Sequence, residues 1–270
     1  MMNSVKSYSN YRSKRWHNLI SRNWLCTNSV KWNSLLCCLK NVVIKLKALT
    51  IKREGALLMS VPFITVEGPI GVGKTSLSKA VSQTFDYHLL KEIVDENPFL
   101  GKFYEDISEW SFQTEMFFLC NRYKQLSDIH EILGAQGPVV ADYHIFKNLI
   151  FAKRTLKPTE YEKYESIYRI LTADMPKPNM VIYLHASLDT LMKRIAMRGR
   201  EMEKNISREY MEQLSSDYHQ FIGHFEKMHP EIPVISLNGD ELDFVKNEED
   251  LQYVLRLVEE KLQQRSLHQK

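Results

Sequence analysis

The sequence predicts an α/β fold, a five-stranded parallel sheet with helices on both faces. Three observations carry this. Short apolar runs recur between longer amphipathic stretches, the pattern of buried strands alternating with helices. A glycine-rich loop follows the first apolar run and opens a helix. Apolar content of 44% and charged content of 26% are those of an ordinary globular domain. Strands that alternate with helices pair in parallel, with crossovers packed on the sheet.

The elements follow in order. Residues 62–66 (PFITV) form the first strand, and a helix runs from near Gly73 to about Phe85. Residues 88–93 (HLLKEI) read as the second strand. Residues 107–133 carry one long helical pattern through Met116, Leu119, Tyr123, Leu126 and Leu133, stopped by Gly134 and Gly137-Pro138. Residues 139–141 make the third strand, closed by Asp142. Residues 180–184 and 233–237 are the fourth and fifth. Helices at about 159–173, 187–198, 207–228 and 248–263 fill the intervals.

Charge divides the chain in two. Residues 1–58 hold eleven Lys/Arg and one acid, Glu54, whereas residues 59–270 carry a net charge of −7. The basic segment also holds three of the four Trp and three of the four Cys, and no sustained period. It reads as an N-terminal extension, disordered or not native, since Met59 just before the first strand is a natural start. A targeting segment and a nucleic-acid-binding arm are the other readings. Residues 59–270 read as a single domain. It has one cysteine, Cys120, which fits a reducing compartment and a cytoplasmic location. No run reaches the length of a membrane span, and no nucleic-acid polymer is expected as partner.

Residues 68–75 (GPIGVGKT) match G-x-x-x-x-G-K-[ST] in full, after a strand and before a helix. Gly68, Pro69, Ile70, Gly71, Val72, Gly73, Lys74, Thr75 and Ser76 are therefore the expected cradle for ATP. Backbone N–H groups and the helix N-terminus would face the phosphates. Lys74 would reach the outer phosphates, and Thr75 would offer its hydroxyl to Mg²⁺. Asp142, at the end of PVVAD, is the expected carboxylate of the metal shell. Arg194, Arg198 and Arg200 lie in KRIAMRGRE after the fourth strand. They read as a lid that neutralises transferring phosphoryl charge. Glu92, at the carboxyl end of the second strand, faces the ligand edge of such a sheet and is the candidate general base.

With these residues in place the sequence resembles a family. EGPIGVGKT, KEIVDENPFL, FYEDISEWSFQTEMFFLCNRYKQL, ADYHIFKNLIFA and RGREMEK, in that order, resemble the deoxynucleoside kinases, in their bacterial deoxyguanosine kinase type. The resemblance spans about residues 60–262. It implies a P-loop kinase fold with an Arg-rich lid, and transfer of phosphate from ATP with Mg²⁺ to the 5′-hydroxyl of a small deoxynucleoside. It also implies a homodimer formed through the long helices. By resemblance Glu92 is the catalytic base, Tyr104 and Glu203 hold the 3′-hydroxyl, and Glu115 and Arg122 contact the base. The adenine pocket should follow the fifth strand. Relatives often read D/E-R-S where this chain has Asp142-Tyr143-His144, which leaves Lys147 or the lid arginines to neutralise the 5′ site.

Phe112, Glu115, Leu119 and Arg122 are spaced along one helix face. An ionised carboxylate only accepts, so Glu115 suits the adjacent N1–H and 2-amino donors of guanine and meets an acceptor at N1 of adenine. Arg122 only donates, which suits the guanine O6/N7 edge. Phe112 would stack on the ring. Deoxyguanosine is the expected acceptor, with deoxyadenosine the near alternative. A nucleoside monophosphate kinase would need cations rather than Glu92 at the acceptor end. A P-loop module that only binds nucleotide would not need the lid.

Overall fold

The strand β1 (Phe63–Glu67) lies at the centre of a five-stranded sheet, all of its residues buried. The computed structural model describes residues 61–94 and 96–268, with side chains through residue 264, and the 1–58 extension lies outside the described residues. The other strands are β2 (His88–Leu90), β3 (Val139–Ala141), β4 (Met180–His185) and β5 (Val234–Asn238). Their order is β2-β3-β1-β4-β5 and every pairing is parallel. From β1 the chain runs to β2 and β3 on one side and then to β4 and β5 on the other, so a crevice opens at the carboxyl end of β1.

Alternation along the central strands builds two cores. Val139 and Ala141 face a cluster with Phe63, Leu119, Leu126, Ile129 and Tyr164. Val140, Ile64 and Val66 face the other cluster, with Leu77, Val81, Leu214 and Tyr218. Helices cover both faces: α1 (Lys74–Phe85), α2 (Leu100–Glu105), α3 (Ile107–Ser127), α4 (Ile129–Ala135), α5 (Lys147–Thr155), α6 (Pro158–Thr172), α7 (Leu188–Arg198), α8 (Arg208–Met228) and α9 (Glu248–His268). A 3₁₀ turn at Glu201–Glu203 follows α7.

Four elements differ from the sequence expectation. The single helix at 107–133 is two. Asp128 leaves helical geometry (φ −92°, ψ 5°) between α3 and α4, and Gly134 lies inside α4. Helices α2 and α5 were unassigned. The first is too short to show a period, and the second sits in a run, IFKNLIFA, apolar on too many sides to phase. Strand β2 ends at Leu90, so Glu92 lies just beyond it. There the Asp142 side chain takes over from the sheet and receives the Glu92 N–H at 2.6 Å.

Candidate active site

The loop after β1 needs glycine for steric reasons. Gly68 has φ +147°, and a Cβ there would lie 2.2 Å from the Leu184 carbonyl oxygen. Gly73, at φ 108°, precedes α1 and turns the chain into the helix. Lys74 folds back over this loop and donates to the carbonyls of Gly68 (2.8 Å) and Pro69 (2.9 Å). Burial and the charge of Lys147 lower its ammonium to about 8. A cavity of about 700 Å³ runs from this loop past Glu92 to Glu115 and the arginine-bearing turn.

Most of the residues singled out in the sequence line this one cavity. They are Ile70 through Ser76, Glu92, Tyr104, Glu115, Arg122, Asp142, Arg194, Arg198, Arg200 and Glu203. Phe118, Phe151 and Lys147 join them. Gly68 and Pro69 lie behind the loop and hold Lys74. Phe112 does not line the cavity. It packs against the core cluster of Leu119 and Tyr164, so its expected stacking on a base is corrected. A helix turns about 100° per residue, so positions 114, 118, 122 and 115 share an arc of roughly 100°, while 112 lies roughly 60° beyond it. Phe118 is the aromatic on the cavity side of α3, and Phe151 on α5 adds a second.

Asp142 ties two ends of the site together. Its Oδ2 accepts from the Thr75 hydroxyl at 2.7 Å, and its Oδ1 from Glu92 N. A hydroxyl and a carboxylate are the hard oxygen donors that Mg²⁺ takes from a kinase, which completes its shell with water and phosphate. The donor set fits that ion.

Glu92 is more tightly held than the sequence suggested. Its Oε1 accepts from Arg122 Nε at 2.9 Å and also from Arg122 Nη2. Lys147 Nζ reaches Oε1 at 3.1 Å and Oε2 at 2.8 Å. Burial would push this carboxyl up, but the charges of Lys147 and Arg122 outweigh it and hold Glu92 well below the usual carboxylate range. Arg122 also donates through Nη1 to Asn148 Oδ1 at 2.8 Å, and Asn148 in turn donates to the Tyr164 hydroxyl at 2.7 Å. Three of the five guanidinium donors are thus engaged, and Arg122 grips Glu92, a contact the sequence did not anticipate. Tyr143, which stands where relatives often carry arginine, is fully buried and donates to Gln125 at 3.1 Å.

Glu115 is 2% exposed. Its Oε1 lies 3.5 Å from the Thr155 hydroxyl, and its Oε2 has no partner among the described residues. Burial, opposed by the Arg122 charge, raises this carboxyl to about 7.

The three arginines separate. Arg194 bridges the Val72 carbonyl (3.1 Å) and the Gly239 carbonyl (2.9 Å), joining the phosphate loop to the turn after β5. Arg198 pairs with buried Glu203, and Arg200 Nη1 lies 3.5 Å from the same carboxylate. Gly199, left-handed at φ 64°, ends α7 and lets the chain turn back between them. Helix α2 packs on this turn, which brings Tyr104 beside Glu203. Burial, with the charges of Glu203 and Glu115, raises the Tyr104 phenol.

Comparisons with known proteins agree in one direction. The sequence profile described as "Deoxynucleoside kinase" matches residues 64–263. The deoxyguanosine kinase of Bacillus subtilis (strain 168) is 53% identical over 200 residues, 74% of this chain and 97% of that protein. The deoxyadenosine/deoxycytidine kinase of the same organism is 34% identical over 200 residues, 71% and 89% of the two chains. The solved structure of deoxyadenosine kinase from M. mycoides with bound dATP superposes with a TM-score of 0.63 at 26% identity, covering 73% of this chain and 99% of that one.

Proposed function

The chain belongs to the deoxynucleoside kinase family, and from that premise we propose that its acceptor is deoxyguanosine and its donor ATP with Mg²⁺. It is a deoxynucleoside kinase acting on a small-molecule nucleoside. The observation that supports the finer reading is the single cavity with the phosphate loop at one end and buried Glu115 at the other.

The residues divide the work as follows. Gly68 through Ser76 receive the phosphates, and Lys74 leaves its parking place on the loop carbonyls to meet them. Thr75 and Asp142 would hold Mg²⁺, which supplies neutralisation of phosphate charge when bound. Arg194, held on the Val72 carbonyl, stands at the triphosphate end, and Arg198 and Arg200 would serve as a lid by leaving Glu203 for the phosphates. Glu92 orients the 5′-hydroxyl and accepts its proton. A carboxylate held this low is a weak base, which suits a loose phosphoryl transition state where positioning outweighs proton abstraction. Tyr104 and Glu203 take the 3′-hydroxyl. Phe118 and Phe151 wall the base, and Glu115 reads it.

Selectivity rests on the free Oε2 of Glu115. An ionised Glu115 offers two acceptors, which match the N1–H and 2-amino donors of guanine. A site built on such bonds rejects a mismatched partner strongly. The test is phosphate transfer from ATP with Mg²⁺ to deoxyguanosine, deoxyadenosine, deoxycytidine, thymidine and dTMP, side by side. Preference for deoxyguanosine is the expected result. Preference for deoxyadenosine would overturn the assignment of the base, and phosphorylation of dTMP alone would overturn the assignment of the acceptor end.

A homodimer through the long helices belongs to the same proposal. Ile170 on α6, at 76% the most exposed of the large apolar residues among the described residues, is the position at which to test it. Sedimentation equilibrium of the wild type against I170E would measure this, with a monomeric wild type as the contrary result.

A further inference from the structure

Glu92 is gripped by two cations in different ways. Arg122 places two N–H groups on Oε1 and anchors its third on Asn148. Its guanidinium also lies 4.5 Å over the Phe118 ring. It is fixed on three sides. Lys147 instead donates to both carboxylate oxygens. An ammonium has three donors, so one remains.

The placement of Lys147 is unusual in its cost. It is 4% exposed and sits at the start of α5, inside the cavity. Its charge is felt by the carboxylates Glu92 and Glu67 and, repulsively, by Lys74. Bringing a second buried ammonium within reach of the phosphate-loop lysine is unfavourable. Arg122 alone would neutralise Glu92. The second cation is therefore shared between Glu92 and buried Glu67, and it lines the cavity that joins the acceptor end to the phosphate loop.

The two oxygens of Glu92 are also unequal. Oε1 is filled by Arg122. Oε2 takes Lys147 at 2.8 Å, and it is the oxygen left for an incoming hydroxyl. A 5′-hydroxyl that uses Oε2 arrives beside the Lys147 ammonium. Lysine, a point charge on a flexible stem, can follow a moving charge where the arginine fork cannot.

We infer that Lys147 is a catalytic residue of this kinase, its ammonium spanning Glu92 Oε2 and the phosphoryl group during transfer. The inference rests on the reading of Glu92 and the phosphate loop given above. In the step, the 5′-oxygen bonds to the γ-phosphorus as the bond from that phosphorus to the β,γ-bridging oxygen breaks. ADP leaves with that electron pair, the hydroxyl proton passes to Glu92, and Lys147 keeps its protons throughout.

The test uses the full chain with ATP, Mg²⁺ and deoxyguanosine, and compares K147M, K147Q, K147R and E92Q. K147M and K147Q should lower kcat about 10²- to 10³-fold, the scale for losing one charge-stabilising group. Their KM values should stay within roughly threefold, because the contact strengthens in the transition state. K147R should recover about tenfold of the loss and stay below wild type, as a displaced charge only partly replaces the original. A role limited to holding Glu92 in place would raise the nucleoside KM, and arginine would restore nothing beyond it. Melting curves identify which of the neutral variants is folded at the assay temperature. If both neutral variants unfold, K147R decides: kcat reduced with KM retained supports the inference, and wild-type kcat overturns it. A folded K147M or K147Q within about fivefold of wild-type kcat also overturns it. E92Q separates the two levels: near-wild-type activity in E92Q overturns the underlying reading, whereas an inactive E92Q beside an active K147M overturns only the role of Lys147.

Discussion

The hydroxyl of Thr75 donates to Asp142 at 2.7 Å across 67 residues of sequence. Through its other oxygen Asp142 also receives the backbone N–H of Glu92. One carboxylate therefore sets the distance between the phosphate loop and the acceptor-end carboxylate. D142N keeps the size and removes the charge. It should lower kcat about 10²-fold or more and raise the Mg²⁺ concentration needed for half-maximal activity. A Mg²⁺ titration of activity, run beside the wild type, measures both.

The sequence pairs Glu115 and Arg122 as readers of the base, and the structure gives Arg122 a second partner, Glu92. If Glu115 alone discriminates, E115Q should lower the ratio of kcat/KM for deoxyguanosine over deoxyadenosine by about 10- to 100-fold, the value of one hydrogen bond to a charged group. An unchanged ratio would remove Glu115 from selectivity. R122M should instead lower kcat on both nucleosides together, because its guanidinium serves Glu92.

The Glu115 carboxyl, raised to about 7 by burial against the opposing charge of Arg122, gives a pH signature. The ionised form accepts guanine, and kcat/KM reports the free enzyme. So kcat/KM for deoxyguanosine should fall as pH drops below about 7, and the fall should be absent in E115Q. A profile from pH 5.5 to 8.5 with both proteins decides this.

The same group affects stability with a definite sign. The folded state holds the Glu115 proton to a higher pH than the unfolded chain does. Folding therefore binds protons, and this contribution is present below the unfolded value near 4.5 and lost as pH rises through about 7. E115Q should gain about 1–3 kcal/mol relative to wild type on going from pH 5 to pH 8. Denaturant melts of the ligand-free proteins at the two pH values measure the difference.

Glu203 holds Arg198 and Arg200 on one buried carboxylate beside Tyr104. E203Q should release that turn and also weaken the expected 3′-hydroxyl contact. The KM for deoxyguanosine should rise about tenfold, with a smaller rise for 2′,3′-dideoxyguanosine, which lacks the group. Equal effects on the two nucleosides would place Glu203 outside the sugar site.

The sequence by itself determined the sheet, the phosphate loop and the family. A phosphate loop binds through backbone groups within a few residues, so spacing alone encodes its geometry: Gly68, Gly73 and Lys74 are where the motif puts them. Continuous apolar runs marked β1 and β3 as strands buried on both faces. The tertiary structure decided the rest of the site, because it depends on which distant side chains win each partner. Arg122 reaches Glu92 across 30 residues and Lys147 reaches it across 55. Nothing in spacing ranks those contacts above a base contact or solvent. Phe112 and Phe118 were likewise equivalent aromatics on one helix until packing set the rotation of α3. A rotation of roughly a third of a turn, invisible to composition and motif, sends one ring into the core and the other to the cavity.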